Sequence, residues 1–294
     1  MTGHTSRNRL GIFALRAAPI QISYLGYPGT TGAPFFDYMI ADRRLIPPEQ
    51  RAYYSEKIIY LPHQYQAQDD HPPLPAHMPS RAELGLPDRG FVFCAINNSY
   101  KIGPAEFAIW TRLLKQVEGS VLWMLRSDAV FERNMLCRAA VEGVDPARII
   151  FCDRSGLADY LAKLTLADLF LDSFTYNAGA TASHALWAGL PVLTRTGAGY
   201  TARMAGSLLH AIGLPELITT SDQDYEALAL ALATDPERLA RIKTKLGANR
   251  ATEPLFDTNL FTHHIELGYQ HAYQRYFIGL APDDIDVADR RTAR

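Results

Sequence analysis

Polar residues that suit a phosphate group follow the first strongly apolar segment of the chain. Residues 91–96 predict a buried strand, residues 97–101 read Asn-Asn-Ser-Tyr-Lys, and Pro104 opens a predicted helix. In an α/β protein this strand-to-helix loop is where ligands bind. Lys101 there can neutralise a diphosphate leaving group and lower the barrier to its departure; an ordinary solvated lysine is the alternative. Asn98 can hydrogen-bond a phosphate or a base, or simply cap a turn.

A second loop of the same kind lies within residues 167–194. Residues 169–171 predict a buried strand that ends at Asp172, and residues 182–188 predict a helix that Gly189 and Pro191 terminate. Residues 176–182 between them are small and polar, so free backbone N–H groups at the helix N-terminus would suit a phosphate. Similar units also occur in proteins that bind nothing there. His184 lies inside the helix, where a lone histidine is more often structural than catalytic.

Other catalytic patterns are missing from the sequence. It holds no Ser-His-Asp order, no HExxH pattern and no close carboxylate pair, which weakens hydrolase and metalloenzyme interpretations. The acidic spacing of Asp284 and Asp286 falls in the tail, and we attribute it to chance. Cys94 and Cys152 lie in predicted strands, which favours buried thiols in a reducing cytoplasm. We therefore predict no metal site.

The elements around these loops predict a doubly wound α/β fold. After a proline-rich linker at residues 66–88, apolar strands alternate with helices. The predicted strands cover residues 91–96, 120–125, 148–152, 169–171 and 191–194, and the helices cover residues 104–117, 130–142, 156–164, 182–188, 200–212, 225–234 and 236–247. This alternation predicts a parallel, Rossmann-like sheet. No G-x-G-x-x-G fingerprint follows the first strand, which counts against a dinucleotide cofactor.

The region before the linker resembles only the last part of an α/β domain. Strands are predicted at residues 20–25, 36–42 and 57–61, with a short helix opened by Pro47 and Pro48. Residues 26–32 hold three glycines and one proline, so this loop either brings the backbone close to a ligand or is a plain surface turn. A last helix is predicted at residues 257–277, with an apolar and aromatic stripe that packs on a core and consists of Phe261, Ile265, Tyr269, Ala272, Tyr273 and Tyr276. We expect the tail from Ala281 to be frayed.

The bulk composition is that of an ordinary globular protein. The 294 residues are 48% hydrophobic and carry a net charge of −2, which gives no support for nucleic-acid binding. No apolar run approaches the length of a membrane-spanning helix, and the polar N-terminus lacks the apolar core of a signal peptide. We therefore expect a cytoplasmic protein with neither a nucleic-acid nor a membrane partner.

Several segments together resemble the protein O-GlcNAc transferases and the SPINDLY-type O-fucosyltransferases. The resemblance extends in order from about residue 3 to residue 277. It is carried by Leu25-Gly-Tyr-Pro-Gly-Thr, Leu61-Pro-His, Asn97-Asn-Ser-Tyr-Lys-Ile, Ser120-Val-Leu-Trp-Met-Leu-Arg, Leu166-Ala-Asp-Leu-Phe-Leu-Asp, Leu186-Trp-Ala-Gly-Leu-Pro and Pro254-Leu-Phe-Asp. Its order and breadth make it far more specific than any single motif.

The resemblance implies a GT-B architecture of two Rossmann-like lobes with a nucleotide sugar in the cleft between them. Residues 1–75 would be the end of the first lobe, residues 76–256 the nucleotide-sugar lobe, and residues 257–294 the C-terminal helix and tail. It implies inverting, metal-independent transfer of N-acetylglucosamine from UDP-GlcNAc to Ser or Thr of a protein acceptor, with no cofactor. The chain would be such a transferase or its C-terminal portion, possessing no tetratricopeptide repeats.

Site residues follow from the resemblance position by position. Lys101 would hold the diphosphate and assist its departure, with Tyr100 beside it in the active cleft. The other implied residues are Asn98, Lys163, Gly179, Ala180, Thr181 and His184 around the nucleotide sugar, and Gly26, Tyr27 and Pro28 lining the cleft. A base for the acceptor hydroxyl is required, and the sequence identifies none.

The chain departs from the transferases around the nucleotide. Gly179 and Ala180 stand in the place of His-Thr, and His184 stands where the ribose-binding Asp is usual. Leu157, Tyr160 and Lys163 align with the Lys, His and Arg that usually surround the uridine. Like this chain at Gly179, SPINDLY-type proteins have Gly where the transferases have that His. Two alternatives therefore stay open: an O-fucosyltransferase that uses a GDP-sugar, and a non-catalytic lobe that binds a nucleotide or a partner chain.

Overall fold

The computed structural model describes residues 3–289 and divides into two units, each built on its own parallel sheet. One unit holds the described residues up to Asp70 together with those from Glu253 onward, and the other is His71–Thr252. The described N-terminal and C-terminal segments therefore belong to one unit. The division into the end of a first lobe at residues 1–75, a nucleotide-sugar lobe at residues 76–256 and a C-terminal helix and tail at residues 257–294 stays a prediction.

The strands are short and mostly buried. In chain order they are β1 (Ile22–Ser23), β2 (Tyr38–Asp42), β3 (Lys57–Leu61), β4 (Val92–Ala95), β5 (Val121–Leu125), β6 (Ile149–Cys152), β7 (Leu169–Leu171), β8 (Val192–Arg195), β9 (Ile218–Thr219) and β10 (Ile285–Asp286).

The α-helices alternate with these strands. They are α1 (Leu10–Ala14), α2 (Pro104–Gln116), α3 (Ala129–Val141), α4 (Leu157–Leu164), α5 (Ala180–Trp187), α6 (Met204–Ala211), α7 (Asp222–Thr234), α8 (Pro236–Asn249) and α9 (Thr258–Phe277). Short 3-10 turns cover Pro48–Tyr53, Ala82–Leu84, Ser99–Lys101, Pro146–Arg148, Tyr200–Arg203, Pro215–Leu217 and Pro254–Phe256. The helix predicted from Pro47 and Pro48 is thus a 3-10 turn, and the helix predicted at residues 200–212 begins as one.

The sheet of the His71–Thr252 unit has the strand order β6-β5-β4-β7-β8-β9, and all its strands are parallel. Every residue of β4, β5 and β7 is buried, because the sheet is covered on both faces. This is the strand order of a doubly wound nucleotide-binding fold, so the predicted fold class is confirmed. The order reverses between β4 and β7, and the switch point lies at their carboxyl ends.

The sheet of the other unit has the order β1-β2-β3-β10, again all parallel. Its core joins Tyr38, Ile40, Ile59 and Leu61 to side chains of α9 and β10. The strand predicted at residues 20–25 is shorter than expected, since only Ile22–Ser23 pairs with β2.

The expectation of a frayed tail is wrong for the described residues. Ile285–Asp286 adds a fourth parallel strand next to β3, and Ile285 is buried. Asp284 accepts hydrogen bonds from Arg51 Nε at 2.6 Å and from the Ile58 backbone N at 2.8 Å. Asp286 pairs with Arg43. The two acidic residues that the sequence left without a role therefore hold this strand in place.

The apolar stripe predicted on the last helix is only partly correct. Phe261 and Ala272 are buried in α9, as are Leu260, His264 and Gly268. Tyr269, Tyr273 and Tyr276 are exposed instead. The buried face is therefore narrower than the aromatic spacing predicts.

Candidate functional site

The loops after β4 and β7 meet at the switch point. Cys94 of β4 lies opposite Phe170 of β7, so the residues that follow these strands emerge side by side. Asn97 Nδ2 donates to Ser173 Oγ at 3.2 Å, and Lys101 Nζ donates to the Asn177 carbonyl at 3.0 Å. The two stretches that the sequence selected for phosphate chemistry are thus joined by direct hydrogen bonds.

Asp172 organises the second loop from its buried position at the end of β7. Its carboxylate accepts from the backbone N of Ser173 at 2.9 Å, the backbone N of Ala178 at 2.7 Å and Thr194 Oγ1 at 2.8 Å. Burial raises the pKa of this carboxyl to about 7, against the lowering effect of those donors and of nearby Lys101. The loop shape therefore depends on one acidic side chain.

Lys101 is held in a partly buried position. Its Nζ lies 3.8 Å from the centroid of the Tyr176 ring, a cation–π contact, in addition to its bond with the Asn177 carbonyl. Burial lowers the pKa of Lys101, and the charge of Asp172 opposes that shift. The ammonium group is therefore pre-positioned against the second loop rather than free in solvent.

Beside this junction lies a cavity of about 350 Å³ at the carboxyl ends of β4, β5 and β6. Its lining combines apolar and polar side chains: Ile96, Asn98, Leu125, Cys152, Asp153, Arg154, Ser155, Leu157, Tyr160, Lys163, Thr181 and His184. A cavity of this size with a few polar groups is typical of small-molecule sites. Six of the residues predicted around the nucleotide sugar or aligned with its base are therefore neighbours here: Asn98, Leu157, Tyr160, Lys163, Thr181 and His184.

The far wall of the cavity is formed by α4 and α5. The rings of Tyr160 and His184 meet edge to face with centroids 5.8 Å apart. Burial raises the pKa of Tyr160 and lowers the pKa of His184, so both side chains are neutral at neutral pH. On the near side, Arg154 donates to Asn98 Oδ1. The cavity thus presents neutral aromatic faces opposite a cationic and amide-lined edge.

The remaining predicted residues take different places. Gly179 is the N-cap of α5 and Ala180 its first residue, and no side chain caps that helix. Tyr100 is exposed, and its ring centroid lies 6.2 Å from that of Tyr176. Gly26, Tyr27 and Pro28 lie in a turn after β1 in the other unit. The roles predicted for these residues, at the nucleotide sugar for Gly179 and Ala180 and in the active cleft for the others, stay predictions, as do the roles of the residues that line the cavity.

Sequence reasoning missed the segment after β6. Cys152, Asp153, Arg154 and Ser155 line the cavity, but the sequence offered no motif there. The signal was positional: the carboxyl ends of neighbouring parallel strands share one edge, and the predicted strand at residues 148–152 ends at this segment. As predicted, Cys94 and Cys152 are buried free thiols, while Cys137 is exposed.

Sequence reasoning also missed a group of side chains in the other unit. His63, His264 and Asp289 offer ligand atoms that all lie within 4.8 Å of one another. Their wide separation along the chain leaves no motif. They lie outside the cavity described above.

The two parallel sheets, one of them doubly wound with a cavity at its switch point, define an α/β protein. Its structural neighbours are glycosyltransferases of the GT-B class, and the chain has that fold. Within that class, the chain belongs to glycosyl transferase family 41, whose model matches residues 1–82 and 66–265.

Two plant proteins are among the similar curated sequences. The chain is 36% identical to the probable UDP-N-acetylglucosamine–peptide N-acetylglucosaminyltransferase SEC of Arabidopsis thaliana, over 98% of this chain and 30% of that protein. It is 33% identical to the probable UDP-N-acetylglucosamine–peptide N-acetylglucosaminyltransferase SPINDLY of Oryza sativa subsp. japonica, over 96% of this chain and 30% of that protein. The chain therefore spans 30% of the length of each relative.

Solved structures agree with this assignment. A mutant of the Thermobaculum terrenum O-GlcNAc transferase aligns with a TM-score of 0.80 and 30% identity, over 90% of this chain and 50% of that one. The lipopolysaccharide glycosyltransferase WaaG aligns with a TM-score of 0.55 and 15% identity, over 90% of this chain and 84% of that one, and supports the fold alone.

Across residues 3–289, the helices are all too short or too polar to traverse a lipid bilayer.

Proposed function

We propose that this chain carries the donor-binding part of a protein O-GlcNAc transferase. It binds UDP-GlcNAc, and N-acetylglucosamine passes to a Ser or Thr hydroxyl of a protein acceptor with inversion and without a metal ion at the reaction centre. Membership of family 41 and the names of the plant relatives support this proposal. The observation that carries it is the cavity at the switch point, next to the loops joined by Lys101.

The shape and chemistry of the cavity suit a nucleoside. Leu125, Leu157 and the Tyr160 ring offer apolar surface to a flat base, and Asn98, Lys163 and Thr181 offer polar atoms to its edge or to the ribose. Such a mixture of apolar walls and a few polar groups orients a ligand while excluding water. With the nucleoside in this cavity, we propose that the diphosphate lies toward the N-terminus of α5, where Thr181 lines the cavity.

The diphosphate is proposed to lie between the loop of Asn98 and Lys101 and the turn of Gly179 to Thr181. Backbone N–H groups at the start of α5 have no side-chain cap, and a helix N-terminus favours an anion. Lys101 adds a full positive charge within the same junction. Together these groups would stabilise the charge that develops on the leaving diphosphate, which is the electrostatic part of the catalysis.

A GDP-sugar donor is the second candidate, because the residues around the base are unusual. Leu157 and Tyr160 line the cavity where the family resemblance leads one to expect a Lys and a His. Leu157 supplies no hydrogen-bond donor and Tyr160 supplies only its hydroxyl, so fewer donors are present to discriminate uracil from another base.

Isothermal titration of the full chain with UDP, GDP and UDP-GlcNAc tests the donor site. We expect UDP and UDP-GlcNAc to bind more tightly than GDP, because the similar plant proteins are named for UDP-N-acetylglucosamine. Tighter binding of GDP would replace the donor with a GDP-sugar. Binding of neither nucleotide would remove the transferase proposal and leave a lobe without a donor.

Transfer is tested separately, by incubating the full chain with UDP-GlcNAc and Ser/Thr-containing peptides and detecting the added hexosamine by mass spectrometry. The same reaction with excess chelator tests metal independence: an undiminished rate agrees with the proposal, and a lost rate contradicts it. Donor binding without transfer would support the non-catalytic nucleotide-binding alternative.

A further inference from the structure

Three side chains of the unit that contains both chain ends point at one another. His63 Nε2 lies 3.0 Å from Asp289 Oδ1, and His264 Nε2 lies 3.8 Å from the same oxygen. The rings of His63 and His264 have centroids 5.5 Å apart. Two imidazole nitrogens and one carboxylate oxygen thus converge on a common point.

The sheet register produces this convergence. Tyr60 of β3 lies opposite Asp286 of β10, and the two strands are parallel. His63 and Asp289 each follow their strand's paired residue by three positions, so both emerge at the same edge of the sheet. Because the register is fixed by buried Ile285 and Val287, this proximity is a property of the folded sheet.

Helix α9 supplies the third side chain. It packs so closely on β3 that a Cβ at Gly268 would lie 2.6 Å from Ile59 Cγ2. His264 precedes Gly268 by one helical turn and therefore lies on the same face, nearer the end of the strand. The His264 side chain is only 3% exposed, so its ring has a fixed place in the core.

A small cavity adjoins the cluster. It is about 10 Å³ in volume, enough for one water molecule or ion, and His63, Gln64 and His264 are among its lining residues. Gln64 is 2% exposed, and within the described residues its Oε1 has no hydrogen-bond partner. An unpaired buried oxygen is costly unless a further group occupies the space beside it.

We propose that His63, His264 and Asp289 bind one divalent transition-metal ion of the zinc class, which fastens the C-terminal segment to β3 and α9. Two neutral imidazoles and one carboxylate are ligands that Zn²⁺ takes in proteins, at about 2.0–2.2 Å from the metal. The three ligand atoms already lie within 4.8 Å of one another. Water completes the coordination, and Gln64 Oε1 accepts a hydrogen bond from it.

The charges and exposure of the cluster agree with an ion in this place. The ligand set carries one negative charge, which a divalent cation more than compensates. The Asp289 side chain is 44% exposed and the His63 side chain 14%, so an ion can enter from solvent. The site is structural and separate from the donor cavity, so it requires no metal in the transfer reaction.

Zinc titration of the chelator-treated full chain tests the site. We expect one Zn²⁺ per chain to bind to the parent, with at least about tenfold weaker binding by Asp289→Asn and by His63→Gln. Two matched controls keep the parent affinity: Asp283→Asn changes an exposed carboxylate on the same segment, and His271→Gln changes another histidine on α9. Circular dichroism verifies that each variant is folded.

A thermal readout separates this site from adventitious surface histidines. Zinc should raise the melting temperature of the parent and of both controls, because binding to the folded state alone stabilises it. The rise should shrink in Asp289→Asn and His63→Gln. The proposal is overturned if the parent binds no zinc, or if these two variants bind and respond to zinc as the parent does. Nucleotide binding measured on the same samples is expected to be independent of zinc, so this inference and the donor proposal fail separately.

Discussion

Lys101 Nζ donates a hydrogen bond of 3.0 Å to the carbonyl of Asn177, a residue 76 positions later in the chain. The contact joins the loop after β4 to the loop after β7 across the switch point of the sheet. It holds a cationic group beside the N-terminus of α5, where a diphosphate is proposed to bind. Substitution of Lys101 therefore tests the proposed donor site directly.

Replacing Lys101 with Met should weaken nucleotide binding while preserving the fold. Met retains most of the apolar stem but removes the charge, and a hydrogen bond to a charged group contributes about 1.5–3 kcal/mol. We therefore expect a loss of about tenfold or more in UDP affinity by titration calorimetry. Lys115→Met is the matched control, since Lys115 is exposed on α2. Equal affinity in Lys101→Met and the parent would contradict the placement of the diphosphate.

Asp172→Asn should change how stability depends on pH. The folded pKa of Asp172 is about 7, above its ordinary value, so the folded protein binds a proton that the unfolded chain releases. The free energy of unfolding contributed by this group is therefore highest in acid and falls as pH rises toward about 7. Each pKa unit corresponds to about 1.4 kcal/mol.

The comparison is made by urea unfolding of parent and Asp172→Asn between about pH 5 and about pH 8. Since Asn cannot ionise, the stability of the parent relative to the variant should fall with rising pH across this range. A difference that stays constant with pH, or rises, would show that Asp172 is ionised throughout.

Gly268→Ala should destabilise the unit that contains α9. The new methyl group would lie 2.6 Å from Ile59 Cγ2, so the helix has to move off β3. Overpacking of this kind costs about 1–3 kcal/mol. Gly247→Ala is the control: it lies in α8 with open space around its Cβ, and there Ala should be neutral or stabilising by up to about 1 kcal/mol. Chemical unfolding of both variants measures the change in the free energy of unfolding. Equal changes in Gly268→Ala and Gly247→Ala would contradict the close packing of α9 on β3.

Asp284→Asn should loosen the strand at the C-terminal end of the described chain. Burial by itself raises the pKa of this carboxyl, but hydrogen bonds from Arg51 and the Ile58 backbone outweigh it and hold the pKa below its ordinary value. Loss of the charge should cost about 1 kcal/mol in the free energy of unfolding. Asp283→Asn, a neighbouring exposed position, should have a much smaller effect. Comparable losses in the free energy of unfolding of the two variants would contradict a specific role of Asp284 in holding this strand.

Much of the fold follows from local pattern. The runs at residues 91–96 and 120–125 are apolar throughout, so they predicted buried parallel strands, and β4 and β5 lie inside them. Helix α2 begins at Pro104 as the sequence predicted, because proline suits the first turn. Predictions failed where a segment was short: β10 has two residues, too few for any periodicity to identify.

The sequence by itself determined the order of strands β1 to β8 and helices α2 to α9 and the positions of the loops after β4 and β7, since periodicity and turn residues act over a few neighbours. Tertiary structure alone decided which distant groups meet: Arg154 with Asn98, the anchoring of Asp284 by Arg51, and the convergence of His63, His264 and Asp289. Strand register and helix packing set those contacts. Both depend on the buried core as a whole, which no local stretch of sequence encodes.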